Sequence, residues 1–145
     1  MKSYALVFFV ALNFALFGCG GSGSDDKLSG VWRGQLVLVE TDPAGCSTVA
    51  TRDDEYVVTR DDTQVTVEVS GGVTMIGTPQ SDNAFEVTFD AGSGLSPTSF
   101  TLSFHDIKKD SALAEFSSFQ GAFSQDGGLD FCSAKWRGEV LRQEN

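Results

Sequence analysis

From Gln64 to Val69 the chain alternates polar residues with valine, Gln-Val-Thr-Val-Glu-Val, and the same two-residue period runs through Ala84–Asp90 and Ser99–His105. Successive side chains of an extended strand point to opposite sides, so this period describes strands with one buried and one wet face, as in antiparallel sheets. Followed along the chain, the pattern predicts eight strands, near 30–40, 54–60, 64–69, 73–78, 84–90, 98–105, 112–120 and 131–142. Turn chemistry falls between them at Asp61-Asp62-Thr63, Ser70-Gly71-Gly72 and Asp126-Gly127-Gly128. Residues 106–116 have the propensity for a short helix, but a helix of that length needs packing to persist, and a turn followed by a strand fits the pattern better.

A run of short strands must close on itself or fold over to hide its edges. The two ends of the domain favour closure. With Trp32 set opposite Arg142 in an antiparallel pair, Gly34 meets Val140, Leu36 meets Gly138 and Leu38 meets Trp136 on one face. The other face then pairs Arg33 with Leu141, Gln35 with Glu139, Val37 with Arg137 and Val39 with Lys135. One face is apolar and the other mixed and charged, as a closed barrel requires. The expected fold is all-β, a single antiparallel eight-stranded meander barrel over residues 28–145.

The residues before it differ in kind. Tyr4 to Phe17 is a nearly continuous apolar run, and Lys2 is the only charge in residues 1–18. That run is shorter than the roughly 20 residues a helix needs to cross a bilayer, and fits the apolar region of a signal peptide. Leu16-Phe17-Gly18-Cys19 resembles the bacterial lipobox, in which an aliphatic residue stands three before the cysteine and a small one just before it. The resemblance implies diacylglycerol on the Cys19 thiol, cleavage before Cys19 and a further palmitate-type acyl chain on the new amino terminus. Two or more chains hold a protein on a membrane where one does not. A secreted protein cut by the ordinary peptidase and an uncleaved anchor are the competing readings. Gly20 in second mature position resembles the pattern that sends lipoproteins to the outer membrane. Residues 19–27 then form the lipidated cysteine and a Gly/Ser-rich flexible linker, which reaches about 26–29 Å from Gly20 to Lys27 when fully extended.

Composition narrows the partners. The chain carries 10 Lys plus Arg against 20 Asp plus Glu, a net charge of -10; without Lys2 this becomes 9 against 20, or -11. Such acidity excludes nucleic acid as the expected partner, because binding it requires phosphate-neutralising bases. One His and three Cys leave little for a zinc site, and no metal or other cofactor is expected.

Gly30-Val31-Trp32 is similar to the Gly-x-Trp of the first lipocalin strand, and Arg142 is placed like the last-strand arginine that packs over that tryptophan. On these residues the domain resembles the calycin superfamily of lipocalins, fatty-acid-binding proteins and avidins, and the short lipocalin-like lipoproteins. The resemblance implies a barrel that takes a small hydrophobic ligand.

If Cys19 carries lipid, Cys46 and Cys132 remain, and an even pair in an oxidising compartment reads as one disulfide. Topology agrees, since the first strand delivers Cys46 to the end of the barrel where the last strand begins. Two free or metal-binding thiols are the alternative. His105 reads as a surface histidine near a strand end, not a catalytic base, because no nucleophile lies at a diagnostic spacing. Asp53-Asp54-Glu55, Asp61-Asp62 and Asp25-Asp26 lack calcium-loop spacing and read as solvated turns. The interior positions are Trp32, Leu36, Phe85, Phe89, Phe100, Phe104 and Trp136, either the lining of a ligand cup or a packed aromatic core. The function expected is a non-enzymatic, lipid-anchored binding module of the bacterial envelope. The alternative is a structural or interaction lipoprotein with a filled core and no small-molecule ligand.

Overall fold

The computed structural model describes residues 26–43, 46, 49–92, 96–123 and 128–144. The apolar run, Cys19, most of the linker and the Asp126-Gly127 turn lie outside the described residues. Eight strands follow in order: β1 (Gly30–Asp42), β2 (Thr51–Asp61), β3 (Gln64–Val69), β4 (Val73–Ser81), β5 (Ala84–Ala91), β6 (Thr98–His105), β7 (Ser111–Phe123) and β8 (Leu129–Arg142). Each is hydrogen-bonded to the next, and β8 pairs antiparallel with β1 to close the barrel. Closure removes both sheet edges, so the meander leaves no open strand to pair with another chain.

The β1–β8 seam has the expected register from Trp32 opposite Arg142 through Leu38 opposite Trp136, with one correction. A bulge between Leu38 and Glu40 puts Glu40, not Val39, opposite Lys135. An extra residue in one strand re-aims the side chains beyond it. Val39 is exposed, as Val37 is before the bulge, and Glu40 Oε2 lies 4.0 Å from Lys135 Nζ. At Gly34 on the same seam a Cβ would meet Val140 Cγ1 at 2.8 Å, so the close approach of the strands depends on glycine there.

Residues 106–110 form a turn and not a helix. Asp106 takes a φ of 50°, Lys108 N donates to Ser111 O at 2.8 Å, and Ile107 is buried against the lower end of the core. The turn at 70–72 uses two glycines with φ of 109° and 88°, a region that side-chain-bearing residues avoid.

The lower end of the barrel holds the start of β1, the end of β8 and the turns after β2, β4 and β6; the upper end holds the rest. Cys46 and Cys132 are joined by a disulfide at the upper end, with Cα atoms 5.6 Å apart. The connection after β1 is pinned down further, since Trp136 Nε1 donates to Val49 O at 2.9 Å and Leu38 N donates to Ala50 O at 2.8 Å. Strand closure, disulfide and core all lie within residues 26–144, so this stretch carries what an independent folding unit needs.

Candidate functional site

All seven residues expected inside the barrel face its interior. Trp32, Leu36, Phe85 and Phe104 have 0% exposure and Trp136 has 4%, while Phe89 and Phe100 are partly buried and pack against this core. They sort into two layers. In the lower layer Phe104 is the hub: it stacks on Phe85 with ring centroids 4.8 Å apart and meets Trp32 and Tyr56 edge-on at 5.7 and 5.5 Å. Leu28 plugs the lower end, and its carbonyl accepts from Trp32 Nε1 at 3.2 Å. A void large enough for water would leave its lining partly accessible. Trp32, Tyr56, Phe85, Phe104, Leu36, Met75 and Leu102 are all at 0%, so the lower lumen is solid.

The upper layer is built differently. Phe89, Phe100, Phe116 and Trp136 form a continuous wall of rings across β5 to β8, with successive centroids 6.1, 5.7 and 6.0 Å apart. Opposite this wall, β2 turns Arg52, Asp54 and Tyr56 inward. The Arg52 guanidinium crosses the lumen to lie 3.8 Å from the Phe116 ring centroid and 5.2 Å from that of Trp136. Its Nε donates to Asp54 Oδ2 at 2.9 Å, and the Tyr56 hydroxyl donates to the same oxygen at 3.0 Å. Burial, reinforced by the negative charge of Asp54, pushes the Tyr56 hydroxyl far above its ordinary pKa, so it remains a protonated donor. The arrangement can hold one arginine and one carboxylate inside an otherwise apolar barrel. It lays a polar arm over an aromatic wall.

This trio corrects the reading of Asp53-Asp54-Glu55 as a solvated turn. These residues lie within β2, which begins at Thr51 and not near 54. Asp53 and Glu55 face outward and accept from Gln35 Nε2 at 3.0 Å and from Arg33 on β1. The signal that would have found the trio is the alternation Arg52-x-Asp54-x-Tyr56-x-Val58, in which two charges take the buried phase. Asp61-Asp62 does form a turn, with Asp62 N donating to Asp61 Oδ1 at 2.8 Å. His105 is exposed at the lower end of β6, as expected.

Outside the barrel a ladder of ions runs across the upper wall. Glu115 on β7 accepts from Arg137 on β8 and lies 3.4 Å from Lys135 Nζ. The Arg137 hydrogen bonds, with smaller help from Lys135 and against some loss of solvation, hold the Glu115 carboxyl below its usual range. Beside this ladder a concavity of about 200 Å³ is bordered by Ser99, Thr101, Ser117, Phe119 and Lys135. Phe119 and Phe131 stack at its rim, 5.4 Å apart and 37% and 46% exposed. No protein-family model, curated protein or solved structure matches this chain.

Proposed function

We propose that the chain is a non-enzymatic, lipid-anchored module of the bacterial cell envelope, sorted to the outer membrane through Cys19-Gly20, that works from the outside of a solid barrel. The observation that carries this reading is the packed lower lumen, in which Trp32, Tyr56, Phe85 and Phe104 have no accessible surface, with Phe116 and Trp136 above them at 4%. A barrel of this strand number is narrow enough for side chains alone to fill. The exposed aromatic pair of Phe119 and Phe131 supplies a contact surface that the fold itself does not need. Native mass spectrometry of residues 26–144 purified from its own host tests this. The expected spectrum shows the bare polypeptide mass, and a stoichiometric apolar adduct would overturn the reading.

A second reading, a lipocalin-like cup for a small hydrophobic ligand, is favoured by one observation. The upper ring wall is only partly buried at Phe89 and Phe100, and its Phe116 and Trp136 rings are covered by an arginine side chain and not by packed hydrocarbon. A ligand would enter by displacing Arg52 from Phe116.

A further inference from the structure

In a chain with twice as many acids as bases, chance leaves acids unpaired and not bases. Four cations follow that expectation: Arg33 pairs with Glu55, Arg52 with Asp54, Lys135 with Glu40 and Glu115, and Arg137 with Glu115. All four lie on the wall or in the upper lumen. The other five after Lys2 are Lys27, Arg60, Lys108, Lys109 and Arg142, and none has an ion-pair partner among the described residues. All five lie at the lower end, where the chain enters the barrel.

Three of them converge. Lys27, Lys109 and Arg142 border a cleft of about 320 Å³ together with Asp26. Arg142 is fixed there, since its Nη2 donates to Ser29 O and, at 3.5 Å, to Asp26 O, and its guanidinium lies 5.8 Å from the Trp32 ring centroid. Asp26, the one carboxylate of the cleft, already accepts from Leu28 N at 3.1 Å. A rigid guanidinium beside two lysine point charges suits a phosphate group.

We propose that this cleft seats the phosphate of an anionic lipid headgroup, docking the barrel with its linker end toward the bilayer. The proposal rests on the lipid-anchored reading for its biological setting. Asp26 and Lys27 end the linker that begins at Cys19, so the anion the proposed anchor brings within reach is the headgroup layer. Asp61, Asp62, Asp82, Asp106 and Asp110 share the lower end, so the attraction is confined to the cleft and not spread over a basic face. Asp110 lies closest, next to Lys109 and with its carbonyl accepting from Arg142 N at 2.9 Å, but it does not border the cleft.

The test uses residues 26–144, which lack Cys19, and vesicles of phosphatidylglycerol mixed with phosphatidylcholine or of phosphatidylcholine alone. The expected result is cosedimentation with the anionic vesicles at low salt, lost at high salt and absent with phosphatidylcholine alone. Lys27→Ala and Lys109→Ala should each weaken it about fivefold. Both side chains are exposed, so both variants keep the fold. Arg33→Ala removes the same charge from the wall and should leave binding unchanged. Equal loss with Arg33→Ala, or none with the lysine variants, would overturn the cleft. Shifts of Lys27 and Lys109 NMR signals by inorganic phosphate without vesicle binding would overturn the lipid source in favour of a free anion. The mass of the native amino terminus judges acylation of Cys19 separately, so the two readings fail independently.

Discussion

Around Phe104 the lumen is filled by hydrocarbon and aromatic rings, whereas one layer higher Arg52 reaches across the barrel to lie on Phe116 and pair with Asp54. Both layers use phenylalanine, and both are closed by the same strands. They differ in what fixes them. The lower layer is held by shape, each ring caught between others with no accessible surface. The upper layer is held by a charge pair, a phenol and, above it, a disulfide that ties Cys46 to Cys132. The pair is partly buried, with 23% of the Arg52 side chain and 9% of the Asp54 side chain exposed, and an ion pair drawn out of water seldom stabilises a fold more than well-packed apolar residues of the same volume. Stability alone therefore accounts for the lower layer and not for the upper one.

Substitutions that separate the layers break or sharpen this contrast. Phe104→Ala should have the largest effect, about 3–5 kcal/mol by denaturant unfolding, because a cavity opens at the hub of three ring contacts. Phe89→Ala or Phe100→Ala, partly exposed in the upper layer, should cost clearly less, and equal costs would erase the distinction. Reducing the disulfide should cost about 2–5 kcal/mol, since the bridge closes a loop with a sequence separation of 86. Hydrogen exchange should then rise at the upper β1–β8 seam while the amides around Phe104 stay protected.

Asp54→Asn should cost about 1–3 kcal/mol by removing the charged acceptor shared by Arg52 and Tyr56. Replacing the set together, Arg52→Met with Asp54→Leu and Tyr56→Phe, should leave a barrel at least as stable as the native one in the same unfolding assay. A large loss in the triple variant would show the trio to be a stability device after all.

The smallest effect concerns acid. Because Arg137 holds the Glu115 carboxyl below the ordinary value near 4.5, the stabilisation it gives is complete above that pH and is lost as pH falls through its depressed folded value. Glu115→Gln should therefore lower stability slightly at neutral pH and flatten the acid limb below about 4.5, the variant and native curves converging at low pH.

Much of this fold was legible along the chain because most strands keep strict alternation. Gln64–Val69 and Ala84–Asp90 have one apolar phase each, and a one-residue slip would expose all of it. The seam register followed from setting the apolar faces of the first and last strands together, and the disulfide from the even cysteine pair left after Cys19, with closure bringing both to one end. The bulge at Val39 was not legible, because nothing local distinguishes it from the regular continuation. The start of β2 was hidden by Arg52 and Asp54, whose charges occupy the buried phase and reverse the expected pattern. The lower cleft joins residues from both chain ends and the turn after β6, so only the closed barrel brings Lys27, Lys109 and Arg142 together.

Xenon pressurisation of crystals of residues 26–144 probes the packed lumen most directly, since xenon enters dry apolar cavities. The expected map shows no xenon among Trp32, Phe85, Phe104 and Met75, and none behind Arg52 in the upper layer. An ordered xenon atom inside the barrel would contradict the solid interior and return the cup to first place.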